Sequence, residues 1–272
     1  MRRTILMPPA DGVAAGNRPT FRLPIGQRYH NLFLVLSGVT VAQIAQIVVK
    51  VNNDVIHRYS GTVRNRLNKF FGLADAAEAV LQIPFDRINL LAKDFMESTA
   101  INTNVADANG YVVSSLTVEL ALAAGAYTPV IDLYAETSDA KAGGPGDVQR
   151  ILGRTLTAPA IGENQFILND SQIGDSKHLL LDWAFFDTAD IDKLEIEIDN
   201  NTRFRRTADL NNYVQANGKR VPDANAFVVD TSENGYGTEV LPLTGLRDFR
   251  YIAEMSGSGA FDIYEGYIGR LK

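Results

Sequence analysis

The chain has 272 residues, 46% of them hydrophobic and 21% charged, enough for one large core or two smaller ones. Its formal net charge of −6 argues against a protein whose task is wrapping nucleic acid. Cysteine is absent, which excludes a disulfide framework, a cysteine nucleophile and a thiolate metal site, and no apolar run approaches the roughly 20 residues of a membrane-spanning helix.

The chain opens on a basic tip, Arg2-Arg3, and a short apolar stretch that stops at Pro8-Pro9, which does not read as a signal peptide. Up to Arg28, the arginines Arg2, Arg3, Arg18, Arg22 and Arg28 outweigh a lone acid, Asp11. This segment reads as a solvated arm, or as one that touches an acidic surface such as lipid headgroups or packaged nucleic acid. Strands are expected at 20–25 and 29–36. The run 42–51 ends in Asn52-Asn53 and turns back into 55–59. Asparagine tolerates positive φ, so this pair suits a tight turn between antiparallel strands. A helix over 63–71 follows, with Val63, Leu67, Phe70 and Phe71 on one face and Gly72 closing it. Next come a strand at 80–85 and a long loop at 86–115. The apolar run 116–123, Gly125 and Ile131-Asp132-Leu133-Tyr134 read as a final hairpin. Residues 137–147, small, polar and rich in glycine, have the composition of an exposed linker.

Beyond the linker the plan repeats. Strands are expected at 164–168, 177–185 and 226–230. Ile44, Ile47, Val49 and Val51 match Ile191, Leu194, Ile196 and Ile198, each pair 147 positions apart (191 − 44 = 147). Leu194, Ile196 and Ile198 alternate with Glu195, Glu197 and Asp199, the pattern of a half-buried strand with its acids in water. Asn200-Asn201 falls where Asn52-Asn53 falls. A helix over 208–215 then presents Leu210, Tyr213 and Val214, and Gly218 closes it. A second long loop, 231–246, precedes the run 249–255, the turn at Gly257 and Gly259, and Phe261-Asp262-Ile263-Tyr264, again a final hairpin. Short strands repeated over two halves imply an all-β chain of two β-sandwiches.

No catalytic constellation emerges. His30, His57 and His178 lack a second histidine at ligand spacing; His30 and His178 read as strand-edge residues opening equivalent strands. Gly143-Gly144-Pro145-Gly146 lacks the lysine of a phosphate loop, and Ser256-Gly257-Ser258-Gly259 is a turn rather than a nucleophile elbow. Glu195, Glu197 and Asp199 read as a solvated face and not as a glycosidase pair. Asp190, Asp192 and Asp199 read as turn residues, lacking EF-hand spacing for calcium. The basic group His57, Arg58, Arg64, Arg66 and Lys69, with its counterpart Arg203, Arg205 and Arg206, reads as a charged face, with contact to lipid phosphates or to a neighbour's acids as the alternative. Trp183 reads as core or interface packing rather than a sugar platform. Catalytic and cofactor-binding residues are therefore none, and metal binding is left open.

Val13-Ala14-Ala15-Gly16-Asn17, Leu23-Pro24-Ile25-Gly26-Gln27 and Ser37-Gly38-Val39-Thr40, followed by the strand through Val51, resemble the major capsid proteins of the corticoviruses, tailless phages with a membrane inside the protein shell. The resemblance spans about residues 12–56. It implies a double jelly roll, two tandem eight-stranded sandwiches with short helices in the connecting loops. The rolls would be residues 1–145 with the arm, and residues 146–272. It also implies a major capsid protein that forms homotrimeric, pseudo-hexameric capsomers of an icosahedral shell around an internal membrane. The expected partners are neighbouring capsomers, vertex or minor capsid proteins and the internal lipid membrane, with no sequence-specific nucleic acid. The expected location is the virion capsid, after synthesis in the host cytoplasm. The two long loops are expected at the outward end or between subunits. Structural calcium at interfaces belongs to what the resemblance implies, and no acidic loop identifies a site. The competing expectation is a carbohydrate-binding or adhesion β-sandwich, lectin-like or a spike; a cupin-type enzyme would need clustered histidines that the chain lacks.

Overall fold

The computed structural model describes residues 1–76, 79–168 and 173–271. It divides into two compact units, Met1–Ile151 together with Leu271, and Leu152–Arg270.

The first unit holds β1 (Arg3–Leu6), β2 (Thr20–Leu23), β3 (Gln27–Ser37), β4 (Ile44–Val51), β5 (Asp54–Tyr59), β6 (Val80–Pro84), β7 (Ile101–Asn102), β8 (Leu116–Leu122) and β9 (Val130–Asp139). One sheet runs β1-β9-β3-β6, with β7 beside β3; the other runs β2-β8-β4-β5. The second unit is built from β10 (Asp147–Ala158), which begins before the division, β11 (Gly162–Ile167), β12 (Leu180–Asp187), β13 (Ile191–Ile198), β14 (Asn201–Thr207), β15 (Phe227–Asp230), β16 (Leu241–Pro242), β17 (Phe249–Met255) and β18 (Gly259–Arg270). Its sheets run β10-β18-β12-β15, with β16 beside β12, and β11-β17-β13-β14. Adding nine to every strand number of the first unit reproduces the second, side strand included. Two four-stranded sheets in this order are a jelly roll, so the chain carries the roll twice.

The repeat extends to irregularities that composition does not reveal. The β4–β5 register shifts between Val49 and Lys50, and β13–β14 shifts between Ile196 and Glu197, again 147 positions on. The β4–β8 shift at Ile44/Gln46 recurs in β13–β17 at Ile191/Lys193. A bulge adds a residue and bends its strand, so matched bulges mean matched curvature. The alternating residues of the matched strands fill the cores: Ile47 and Val49 in the first roll and Leu194 and Ile196 in the second are fully enclosed. Each such side chain contributes roughly 1.5–3 kcal/mol when taken out of water.

Several expectations need correction. The two final hairpins are absent: β8 pairs with β2 and β4 while β9 pairs with β1 and β3, and β17 and β18 are likewise in different sheets. The glycine turns carry the chain from one sheet to the other. Alternation marks a strand without specifying its partner, so the local pattern fits either arrangement. The second tight turn is Asp199-Asn200 (φ 50° and 61°), one residue earlier than expected, matching Asn52-Asn53 (φ 48° and 67°). Both join adjacent antiparallel strands. The stretch 137–147 is no loose linker: β9 runs to Asp139, and the amide of Asn102 donates to the carbonyls of Lys141 (2.6 Å) and Gly144 (2.8 Å). Gly144 (φ 91°) lies so close to Asp107 that a Cβ would collide with it. Gly144 answers a steric demand, whereas Gly143 and Gly146 have open space beside them and serve through their positive φ (102° and 73°). The loop 86–115 contains a helical turn, α2 (Lys93–Met96, numbered after α1 below), a following 3-10 turn and β7, and 231–246 contains β16.

The helix expected at 63–71 is α1 (Gly61–Phe70), capped by the Ser60 hydroxyl accepting from the Val63 amide at 3.2 Å. Val63, Leu67, Phe70 and Phe71 are buried as expected, and Gly72 follows at φ 73°. The helix expected at 208–215 is α3 (Ala208–Gln215), capped by Thr207. Its orientation reverses the expectation. Leu210, Tyr213 and Val214 face solvent while Asn211 and Gln215 are buried.

Candidate functional site

The N-terminal arm is exposed along most of its tip, yet it is pinned rather than free. β1 pairs with the edge of β9, Arg3 opposite Thr137 and Leu6 opposite Tyr134. That pairing delivers Arg2 to three carboxylates: Asp86 (2.6 Å), Glu97 (3.0 Å) and Glu136 (3.4 Å). Arg28 reaches the same Glu97 at 3.1 Å from β3, with Lys93 at 3.7 Å and Lys141 at 3.8 Å. His30 sits fully buried beside the β3–β9 bulge between Tyr29 and Asn31, its Nδ1 3.0 Å from Asp86 and its Nε2 2.8 Å from Ser138 Oγ. It is a mid-strand core residue and not a strand-edge one. Burial alone would raise the Glu97 carboxyl. The Arg2 hydrogen bond and the charges of His30, Arg2 and Lys93 outweigh that and hold it below the usual carboxylate range. Arg18 and Arg22 stay exposed.

The basic group does not share one face. Arg58 and Lys69 are exposed, whereas His57 and Arg64 are enclosed. His57 Nε2 lies 3.2 Å from the Gln149 carbonyl oxygen, which can only accept, so the proton is on Nε2 and Nδ1 accepts from the Tyr59 hydroxyl at 3.1 Å. Burial, with the charges of Arg64 and Arg150 acting against the Gln149 hydrogen bond, lowers His57 to about 3. Arg64 Nε donates to Asn68 Oδ1 at 3.0 Å, and its guanidinium lies over the Tyr59 ring. In the second roll Arg205 and Arg206 are occupied by Glu195 and Glu233, leaving Arg203 exposed.

The expected solvated acids are also engaged. Glu195 is covered by Arg205, which donates to both its oxygens at 2.7 Å, and by the Thr202 hydroxyl at 2.5 Å. Glu197 lies 3.4 Å from Arg250. The Thr202 hydrogen bond, and then Arg205, hold the Glu195 carboxyl below its ordinary range against the upward pull of burial. Trp183 is buried against Gly266, where a Cβ would overlap the indole, so it offers no platform to a sugar. His178 lies just before β12 rather than in it, its ring tilted against that of Tyr267 with the centroids 4.6 Å apart.

Sequence reading passed over Glu265 of β18, which is 1% exposed and takes two hydrogen bonds from Arg154 (2.9 and 3.2 Å) and one from Tyr251 (2.8 Å). Its signal was a carboxylate in an apolar strand, and a cation 111 residues away could not be assigned to it from the sequence. Among the described residues no group of three or more histidine, aspartate or glutamate side chains is arranged to hold a metal ion. The densest acidic set, Asp86, Glu97 and Glu136, does not fit calcium, because Arg2, Arg28 and His30 already occupy its oxygens. The side chains brought together in the two rolls thus brace loops and edges.

Two family models match the chain. The viral coat protein P2 N-terminal domain matches residues 4–138, and the P2 C-terminal domain matches residues 148–271. No curated protein matches it. Among solved structures, the chain is similar to the major capsid protein P2 of bacteriophage PM2, with a TM-score of 0.85 and 19% identity over 99% of this chain and 97% of that one. It is similar to the capsid of the virus PBCV-1 (TM-score 0.64, 9% identity, 98% and 93% covered). Sulfolobus Turreted Icosahedral Virus supplies a third likeness (TM-score 0.65, 9% identity, 98% and 90% covered). At these identities the structures speak for the fold, and each likeness runs through both rolls.

Proposed function

The chain belongs to the P2 family of viral coat proteins, matched over both domains, and from that membership we propose that three copies close into a capsomer of six jelly rolls. The family is structural, and the chain is a coat protein rather than an enzyme or a lectin. The observation that carries the proposal is the duplicated roll, with the same strand order and the same bulges in both copies. Two like rolls in one chain let three chains present six like corners, a tile of near-hexagonal outline that packs over an icosahedral shell. In this reading residues 1–145 and 146–272 are the two rolls of each corner pair. Neighbouring capsomers and vertex or minor capsid proteins are the partners, and the shell encloses a membrane. The loops 86–115 and 231–246 supply the outward end or the contacts between subunits, since loops vary freely where sheets carry stability. Exposed Arg3, Arg18 and Arg22, rather than Arg2, are the arginines of the arm available to an anionic surface. The chain is made in the host cytoplasm and ends in the virion.

Light scattering on a sizing column, with and without calcium, tests the ring. The expected species has a mass near three times 29.8 kDa, and the same mass in both buffers follows if arginine–carboxylate pairs brace the chain without calcium. A monomer in both buffers would overturn the proposal.

A further inference from the structure

The two rolls carry equivalent helices that differ in what covers them. α1 follows β5 and α3 follows β14, and the offset of 147 carries Val63, Arg64, Leu67 and Asn68 onto Leu210, Asn211, Val214 and Gln215. The polar pair seats each helix in the same way. Asn68 donates to the Gln82 carbonyl at 2.8 Å, and Asn211 and Gln215 both donate to the Val228 carbonyl at 2.8 Å. These bonds set the rotation of each helix about its axis, so the matched apolar residues lie on matched faces.

In the first roll the chain encloses that face itself, leaving Val63 5% and Leu67 0% exposed. The connection from β3 to β4, residues 38–43, includes a 3-10 turn (Val41–Gln43) that packs on α1, and a Cβ on Gly61 would collide with the Val41 carbonyl oxygen. In the second roll the connection from β12 to β13 is only residues 188–190. Leu210 is 50% exposed, Val214 36% and Tyr213 81%. An apolar face held outward by its own buried amides needs a cover from elsewhere.

We propose that the Leu210, Tyr213 and Val214 face of α3 docks on a second copy of this chain, in the groove beside α1 of that copy's N-terminal roll. The groove holds about 390 Å³ and is lined mainly by apolar side chains, among them Val39, Val41, Ala42 and Ala76, with Asp75 and Thr62 as polar edges. Its apolar wall suits Leu210 and Val214, and a polar edge suits the Tyr213 hydroxyl. Knob and groove are different patches on one chain, so the contact is head-to-tail, the kind that closes a ring. Asp209 beside the knob and the net charge of −6 disfavour an anionic lipid surface, whereas Asp75 at the groove's edge is already paired with Lys69 at 3.0 Å and does not repel the knob of a second copy. The inference rests on the trimer proposed above and names the contact that closes it.

The chain has no cysteine, so Ala42→Cys and Tyr213→Cys together report the contact directly. Both positions are exposed, and circular dichroism checks that the fold is kept. Under mild oxidation the double variant is expected to give a covalent ladder ending at three chains and collapsing with reductant, while each single variant stays at one chain. A trimer of the unaltered protein whose double variant gives no ladder overturns this inference and leaves the trimer standing; a monomeric unaltered protein overturns the trimer itself. In parallel, Leu210→Asp with Val214→Asp is expected to keep the monomer's circular dichroism spectrum and lose the three-chain mass. Retention of that mass overturns the contact, as does a patch whose only loss in the variant is flotation with phosphatidylglycerol vesicles.

Discussion

At the scale of single residues, the polar groups of this coat protein act by being buried with partners. His57 shows the consequence for acid stability. Its ordinary value is 6.5 and its folded value about 3, lowered first by burial. The unfolded chain therefore takes up a proton at a pH where the folded chain does not. The stability that neutral His57 contributes is complete above pH 6.5 and is lost progressively as pH falls toward 3, by roughly 1.4 kcal/mol per pH unit at most. Glu97 and Glu195, held below the ordinary carboxylate range, add their own loss only at lower pH, as they protonate. Urea melts between pH 7 and pH 5 test the histidine: His57→Gln is expected to flatten the pH dependence in that window while lowering stability at pH 7. An unchanged slope would mean that another group governs it. Local sequence could not announce this role. A histidine in a strand reads the same whether the facing element is water or, as here, the Gln149 carbonyl and the Phe85 ring 5.6 Å away.

Among the elements, the two tight-turn hairpins were legible, the second to within one residue, because their physics is local: strand alternation, a turn that needs positive φ, then a capped helix. β1 was not legible. It has four residues, exposed or half-exposed, and it is a strand only because the β9 edge accepts it. Arg2 secures that edge by closing on Asp86, Glu97 and Glu136. Arg2→Ala leaves Asp86 and Glu97, both buried, short of a cation, and is expected to cost about 1–3 kcal/mol, less than a fully buried pair because Arg2 is partly solvated. Hydrogen exchange checks this, with faster exchange expected in the β1–β9 ladder than in the β3–β6 ladder. Arg3→Ala, whose pair with Asp139 is exposed, serves as control and is expected to change stability by less than about 0.5 kcal/mol. Equal acceleration in both variants would count against the Arg2 latch. α3 was legible as a helix but not in its rotation, since two buried amides chose which face points inward.

For the whole molecule, the duplicated roll bears on stability through the trimer proposed above. If the native state is the trimer, mass action ties folding to concentration. The melting temperature is expected to rise as protein concentration is raised tenfold, and Leu210→Asp with Val214→Asp is expected to abolish the rise. A melting temperature independent of concentration for the unaltered chain would argue against a trimer that dissociates as it unfolds. By itself the sequence determined the all-β class, the 147-residue repeat, the tight-turn hairpins and their helices, and the resemblance to a capsid family, because each rests on short-range periodicity or on motifs. Tertiary structure alone decided which sheet β8, β9, β17 and β18 join, which carboxylates lie under arginines, and which face of α3 stays uncovered. Those outcomes depend on partners from ten to more than a hundred residues away, and neither alternation nor composition carries the identity of such a partner.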